Sequence, residues 1–341
     1  MRIPIKARNR QTEIGKPRDY RSLFLAKLPF VKSESFGLSI AVLFAVILLS
    51  FTTDYFFSGI NAQNVGTAIS YTGIAAAIAT IIFISGGVDL STAAVMALAG
   101  TSAASLMDAG FSAGVAITVA LLLGLLVGLF NAVLIASVGI NPLIATIGTG
   151  FVVRGAAYIA IDSRELNITN EAFLFFGRKT ILGIPMPTLI MLTCVLVVSF
   201  VLKKTVFGRH VYAMGGTPNG NMARLAGVPV KRRQYQVYAA GGLVSALAGL
   251  VLSSYSASAT GNAALGLELP IIAAVILGGT ALGGGRGTVA GTLLGVTLLG
   301  VINNGLTLRS VPFVWLYVVQ GSALLLAVVI DERRQKKEAK G

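Results

Sequence analysis

The sequence predicts an all-α polytopic membrane protein with about ten transmembrane helices, and three observations carry that expectation. Hydrophobic residues make up 55% of the 341 positions and charged residues only 12%. A soluble domain carries charge on about 25% of its residues, because water must be met by a polar surface. The mean hydropathy of +0.82 points the same way. The apolar residues are also gathered into runs of about 20, the length that crosses the hydrocarbon core as a helix. Finally, glycine occupies 40 positions, well above the usual share of about 7%. In a bilayer small residues let helix backbones approach closely, and van der Waals packing then holds them. Intrinsic disorder, a collagen-like chain and a disulfide scaffold are excluded by the same composition.

In chain order the runs are 37–53, 66–85, 92–107, 114–138, 142–161, 184–202, 236–253, 269–282, 287–303 and 311–330. The first follows a long basic leader and ends in Thr52-Thr53-Asp54-Tyr55. That ending does not resemble a small-residue cleavage site, so the run is expected to be a span rather than a removed signal. Runs 92–107 and 269–282 are short, and 287–303 is dense in glycine; these three give the weakest span signal. The expected organisation is a basic tail over residues 1–35, a membrane domain over 36–330 and a second tail over 331–341.

The net charge of +14 is concentrated. Residues 1–35 hold nine Lys/Arg, residues 203–235 hold seven and residues 331–341 hold five, which is 21 of the 27 basic positions. No soluble domain is present to offer a basic face to nucleic acid. Lys/Arg-rich short loops stay in the cytoplasm, and the N-terminal tract is also suited to anionic headgroups. If all three tracts lie inside, an even number of spans must separate each pair. Six runs separate the first two tracts and four separate the last two. Ten spans with both termini cytoplasmic therefore satisfy hydropathy and charge together. The loop 162–183 then lies outside, and its charges cancel (Asp162, Arg164, Glu165, Glu171, Arg178, Lys179).

Cys194 and His210 are each the only residue of their type, so no internal disulfide, zinc site or catalytic triad is expected, and no residue is assigned a catalytic or metal-binding role. No GxxxxGK[ST] loop occurs either; Gly15-Lys16 is followed by Pro17. Any nucleotide energy must come from another chain. Ionisable groups at membrane depth cost about 2.5–3.5 kcal/mol each on insertion scales and need a reason. Asp89 lies in Ser85-Gly86-Gly87-Val88-Asp89-Leu90-Ser91 between two runs, Arg154 lies inside the fifth run, and Glu268 begins the eighth. Asn131, Asn303, Asn304 and Gln320 add uncharged polar groups. They either line a polar pathway for a hydroxyl-rich solute or cap, snorkel and bond neighbouring helices, with pairing the expected role for Arg154. The tract from Gly278 to Gly287 contains Gly285-Arg286-Gly287-Thr288-Val289-Ala290. This matches a dinucleotide fingerprint only in form, because no strand precedes it and the next acid is Asp331. An interrupted or tightly turned membrane segment is the better reading, since glycine permits backbone angles closed to other residues.

The loop 203–235 carries the most specific local signal. A short helix is expected near 219–226, with Thr217, Asn219 and Asn221 as possible N-caps and Gly227 followed by Pro229 as the stop. About two turns of helix are too short to be stable alone in water, so it leans on its own bundle or on a partner.

Thr205–Val228 resembles the cytoplasmic coupling loop of the ribose/galactose-type permease subunits of bacterial ABC importers. The resemblance rests on Phe207-Gly208-Arg209, Ala213-Met214-Gly215-Gly216-Thr217-Pro218 and Ala223-Arg224-Leu225-Ala226-Gly227-Val228. Further matches run in the same order: Ser85–Ser91, Pro142–Gly148 with Arg154-Gly155, Glu268-Leu269 with Ile272–Val275, Gly278-Gly279-Thr280, Gly284–Gly287 and Asn303–Leu306. The likeness covers residues 66–331, with departures at Thr217, Ala132 and Pro270 and a longer Asn219–Met222 segment. It implies the fold of the vitamin-B12-type (type II) ABC importer permeases. It also implies a coupling helix using Thr217, Pro218, Asn219, Ala223, Arg224, Leu225 and Gly227, and it adds Thr146 to the polar residues of interest. The implied partners are a cytoplasmic ABC ATPase, often a tandem fused chain in this family, and a second permease subunit, identical or different. A periplasmic or lipid-anchored binding protein would deliver a simple sugar, or else a polyol, inositol, furanone-type signal or nucleoside. ATP and Mg would be bound by the ATPase, so no cofactor is expected in this chain. The implied location is the bacterial inner membrane. An ion-coupled carrier is the competing class, with Asp89 and Glu268 as its only candidate acids.

Overall fold

The computed structural model describes residues 34–216, 220–312 and 314–338. The basic N-terminal tail and Thr217, Pro218 and Asn219 lie outside the described residues. Helices α1 (Glu34–Thr52), α2 (Gly59–Ile84), α3 (Thr92–Asp108), α4 (Ala113–Ala132) and α5 (Pro142–Ile159) occupy the first five apolar runs. Helix α6 (Glu171–Arg178) is a short amphipathic element, and α7 (Met186–Lys204) takes the sixth run. Helices α8 (Val206–Met214) and α9 (Asn221–Leu225) lie in the basic loop. The last four runs form α10 (Val230–Ser256), α11 (Glu268–Leu277), α12 (Val289–Leu308) and α13 (Val314–Glu338). Strand β1 (Leu166–Asn167) pairs antiparallel with β4 (Ser258–Ala259), placing Leu166 opposite Ala259. Between them β2 (Thr180–Ile181) and β3 (Ile184–Pro185) form a hairpin.

Among the described residues six helices are long and apolar enough to cross a membrane: α2, α4 with its extension to Val138, α5, α7, α10 and α12. Three shorter apolar segments, Phe36–Thr52, Glu268–Leu277 and Val314–Leu326, lie in α1, α11 and α13. The sequence expectation of ten runs thus meets ten helices, of which six are both long and apolar enough to span by themselves. Side-chain caps fix several starts. The side chain of Ser58 accepts from Asn61 N, Ser112 from Val115 N, and Thr288 from Gly291 N. Asn141 accepts from Leu143 N, with Pro142 opening α5. These oxygens satisfy N–H groups that the first helical turn leaves without partners.

Several boundaries differ from the hydropathy runs, and α13 continues past residue 330 to Glu338. Helix α2 begins at Gly59 rather than near 66, because the Ser58 cap starts it within the polar stretch Asn61–Asn64. Helix α10 begins at Val230, since a hydropathy run excludes the Lys231-Arg232-Arg233 turn that the helix includes. The run 269–282 is helical only to Leu277. Gly278 there lies against the backbone of Gly291, and Gly279 turns left-handed at φ 87°. No local pattern signals that α4 ends in a π-helical turn, Val133–Val138, closed by Gly139 at φ 87°.

The core is centred on α2 and α10. Residues Ile74–Ile84 of α2 are almost wholly buried, as are Val237, Tyr238, Ala246 and Val251 of α10. Helices α4 and α10 meet through glycine: a Cβ on Gly124 or Gly128 would strike the backbone of Gly242 or Tyr238. This is the close approach that the glycine content predicts. The connections collect at two ends of the bundle. At one end Ser85–Gly87, Gly139–Pro142, Gly216, Gly220–Arg224 and Gly283 surround a common cavity. At the opposite end β1 pairs with β4, Gln63 Nε2 donates to the Gly183 carbonyl at 3.1 Å, and Arg178 Nε donates to the Tyr255 carbonyl at 3.1 Å.

Candidate functional site

The basic loop supplies a small helix held by one residue and exposed on the rest. Ala223 is 2% exposed and packs with Met214 and Val230, with Val228 against them. Leu225 is 85% exposed and Met222 65%. Helix α9 spans five residues, shorter than the 219–226 expected, and Gly220 at φ 64° precedes it without a side-chain cap. Asn221, expected as a possible cap, is instead its first residue; Thr217 and Asn219 lie outside the described residues. The expected stop is present. Gly227 is left-handed at φ 81°, its N–H donates to the Arg224 carbonyl at 3.0 Å, and Val228 N donates to that of Ala223 at 2.9 Å. Such a terminus satisfies carbonyls that the helix end would otherwise leave bare.

Helix α8 fixes this knob to the bundle. Thr205 caps it through Gly208 N at 3.2 Å. Arg233 Nε donates to His210 Nδ1 at 3.0 Å and Arg233 Nη1 to Gln236 Oε1 at 2.7 Å, while the guanidinium lies 5.7 Å from the Phe207 ring centroid. Tyr212 Oη donates to the Gly287 carbonyl at 2.8 Å, and burial pushes its hydroxyl above its ordinary pKa.

Next to α8 three glycine-containing connections meet backbone to backbone. Gly285 N donates to the Ile84 carbonyl at 2.8 Å, and Gly216 N donates to the Gly283 carbonyl at 2.9 Å. A Cβ on Gly215 would collide with Gly285 N and the Ile84 carbonyl oxygen, and one on Gly284 would come within 2.9 Å of Gly86 Cα and Gly215 Cα. The junction links the end of α2, the α8–α9 connection and the α11–α12 turn. Backbone packed this closely has no side chains to absorb a displacement.

The polar residues singled out in the sequence divide into separate groups. Asp89 Oδ1 accepts from Ser91 N at 2.8 Å and from Ser91 Oγ at 2.6 Å. Asn131 Nδ2 donates to Ser91 Oγ at 2.9 Å, and Leu90 N donates to Thr146 Oγ1 at 3.1 Å. Asp89, Asn131 and Thr146 are thus brought together around the start of α3, where Asp89 acts as a local turn-forming group. Asn131 Oδ1 is buried there without a hydrogen-bond partner. Arg154 and Glu268 form a second group toward the opposite end. Their side chains are 3.7 Å apart, and Arg154 Nη1 donates to the carbonyls of Gly261 at 3.0 Å and Ala263 at 2.6 Å. Asn304 is bound in a reciprocal amide pair with Asn61 at 2.8 and 3.1 Å. Asn303 and Gln320 are half-buried on α12 and α13. The cavity bordering α9 has a volume of about 820 Å³, and its lining includes Gly87, Asn141, Asn221, Arg224, Gln234 and Tyr238. Among the described residues no cluster of His, Cys, Asp or Glu is suited to a metal ion.

Sequence reasoning did not name Ser91, Asn61 or the glycine junction as site residues. Asn61 carries no local signal, since its partner Asn304 lies 243 positions away, and Ser91, bonded to Asp89 two residues before it, takes a further partner in Asn131, 40 positions away. The junction did leave a trace. The repeated tracts Ser85-Gly86-Gly87, Met214-Gly215-Gly216 and Gly283-Gly284-Gly285 are the three that meet.

Comparison with known proteins gives a consistent picture. Residues 61–329 match the family model described as the branched-chain amino acid transport system / permease component. The L-arabinose transport system permease protein AraH of Escherichia coli K12 is 37% identical over 297 residues, covering 86% of this chain and 90% of that protein. The L-arabinose ABC transporter permease protein AraH of Azospirillum brasilense is 38% identical over 296 residues, covering 87% of this chain and 86% of that protein. The ribose import permease protein RbsC of Bacillus subtilis strain 168 is 36% identical over 303 residues, covering 88% of this chain and 94% of that protein. No solved structure matches.

Proposed function

The chain belongs to the family of branched-chain amino acid transport system permease components, and from that premise we propose that it is the membrane subunit of an ATP-driven importer of a simple sugar such as arabinose or ribose. The observation that carries this reading is the match to arabinose and ribose permeases along 86–94% of either chain. The protein is a multi-pass membrane subunit and breaks no covalent bond. All ten apolar helices are taken to cross the bacterial inner membrane in the type II permease arrangement, with the N-terminal tail, α8, α9 and the C-terminal tail inside. The grouping of connections at two ends supports that count.

In this reading two permease subunits enclose the solute path, a binding protein delivers the sugar outside, and an ATPase grips α9 inside. ATP-driven closure of the ATPase pushes α9, and the glycine junction passes the displacement to α2, α11 and α12. The transport cycle then alternates between two arrangements of packed helices. Arg154, Glu268 and Asn304 are taken as bundle-holding residues, because each is engaged inside the chain. Asn303 and Gln320 are better candidates for the solute path. Asp89, Asn131 and Thr146 fix the start of α3 beside it. An ion-coupled carrier is disfavoured, since Asp89 and Glu268 are committed to Ser91 and Arg154.

The test is uptake of radiolabelled arabinose and ribose into proteoliposomes holding this permease with the ATPase and binding protein encoded beside it. ATP-dependent accumulation of either sugar is expected. Uptake that needs no ATP and follows an ion gradient would overturn the reading. Calorimetry on the binding protein with a panel of sugars, polyols and nucleosides identifies the solute.

A further inference from the structure

The sequence contains no Asp or Glu between Glu171 and Glu268, yet this stretch includes the whole basic loop. Helix α10 opens Val230-Lys231-Arg232-Arg233 with no acid in its first turn and no side-chain cap from Pro229. Cations are disfavoured at that end, where the helix macrodipole is positive. Arg233 is committed to His210 and Gln236. Arg224, Lys231 and Arg232 instead rim a recess of about 650 Å³ completed by Pro229, Val230 and Tyr235. The ion pairs Arg154–Glu268 and Arg164–Asp162 both lie away from this loop. The exposed Leu225 and Met222 stand beside the same rim on α9.

We propose that this face docks on an acidic socket of the ATPase partner: an apolar hole that takes Leu225 and Met222, flanked by carboxylates that engage Arg224, Lys231 and Arg232. The inference rests on the functional reading above and adds to it the chemistry of the partner's surface. Three cations gathered with no counter-charge among the described residues repel one another until an anion arrives. Anionic lipid headgroups are the other possible source of that anion. They are less suited, because a headgroup layer offers no socket for the two exposed apolar side chains of α9, Met222 and Leu225. Charge complementarity of this kind sets association rate, register and salt sensitivity more than total affinity.

The experiment measures binding of the ATPase encoded with this permease to the full chain in nanodiscs of phosphatidylcholine alone. Salt is raised from about 0.1 M to about 1 M, which shortens the screening length from about 10 Å to about 3 Å. The expected result is an affinity loss of about tenfold, as for rim charges that steer and register a complex. The triple variant R224Q/K231Q/R232Q should bind at low salt as weakly as the unaltered protein does at high salt and should lose the salt dependence. Leu225→Asp should weaken binding at both salts. Binding that ignores both salt and the triple variant overturns this inference while leaving the importer reading intact. If the triple variant binds the ATPase normally but no longer retains phosphatidylglycerol added to the nanodiscs, the cations serve lipid and the inference fails. If the unaltered permease binds no ATPase at either salt, the functional reading fails and this inference with it.

Discussion

Replacing Gly215 with alanine, beside Gly216→Ala as its neighbour control, tests the coupling route at its narrowest point. Gly215 has φ −77° and ψ 168°, angles that any residue adopts, so its backbone conformation does not require glycine. Its surroundings do. A Cβ there would lie well inside 3.0 Å of Gly285 N and the Ile84 carbonyl oxygen and 2.7 Å from Gly284 C. All three are backbone atoms that cannot rotate away, so the strands must part by about 1 Å, as in other overpacked sites. That displacement breaks the Gly285–Ile84 and Gly216–Gly283 hydrogen bonds, of 2.8 and 2.9 Å. Each bond contributes about 0.5–1.5 kcal/mol net, and overpacking strain adds about 1–3 kcal/mol. A total near 3 kcal/mol lowers the intact junction by about two orders of magnitude. Gly216 is the opposite case. At φ 77° alanine is strained, but its Cβ would meet only Gly284 O at 4.0 Å, so the cost is about 1 kcal/mol. The assay is hydrogen exchange over residues 84–87 and 283–287 with ATP-driven uptake measured in parallel. Gly215→Ala should lose both protection and coupling, and Gly216→Ala should keep most of each. Equal behaviour of the two variants, or a larger effect at Gly216, would refute the junction as the mechanical link.

Other outcomes follow from the same geometry. Leu225→Glu or Gly227→Val should abolish transport-coupled ATP hydrolysis while membrane insertion, measured by protease protection, stays normal; valine is strained at the φ of 81°. Arg154→Met removes the partner of Glu268 and the donor to two carbonyls. It should lower stability in detergent by about 2 kcal/mol, read as a fall in melting temperature. Tyr212→Phe loses the bond to Gly287 and should cost about 1 kcal/mol. Because burial raises the Tyr212 hydroxyl above its ordinary 10.0, the folded state holds that proton more tightly than the unfolded chain. Its contribution is therefore complete below about pH 10 and lost as pH rises further, a decline that the Phe variant should lack in the same melting assay.

The helical runs were readable because their cause is local. A stretch such as Leu121–Leu134 must satisfy its own backbone in lipid whatever surrounds it. The glycine interruption after Leu277 and the stop at Gly227 were readable for a similar reason, since backbone angles of that kind select their residue. Interiors of polar groups were less legible. Arg154 was expected to pair, and it does so with Glu268, but nothing in the sequence showed that Asn304 would find Asn61. The start of α10 was missed because its first turn is charged, and hydropathy registers contact with lipid rather than helical geometry. The π-turn at Val133–Val138 had no local signature.

By itself the sequence determined the membrane class of the chain, the approximate place of its helices and the basic loop that carries α9, because hydropathy, charge and glycine act over a few neighbouring residues. Only the tertiary structure decided that Ala223 faces inward while Leu225 faces out, and that Gly86, Gly215 and Gly284 share one point. Those facts depend on which distant segments pack together, a choice made by the shape of whole helices and not encoded in any short window of the chain.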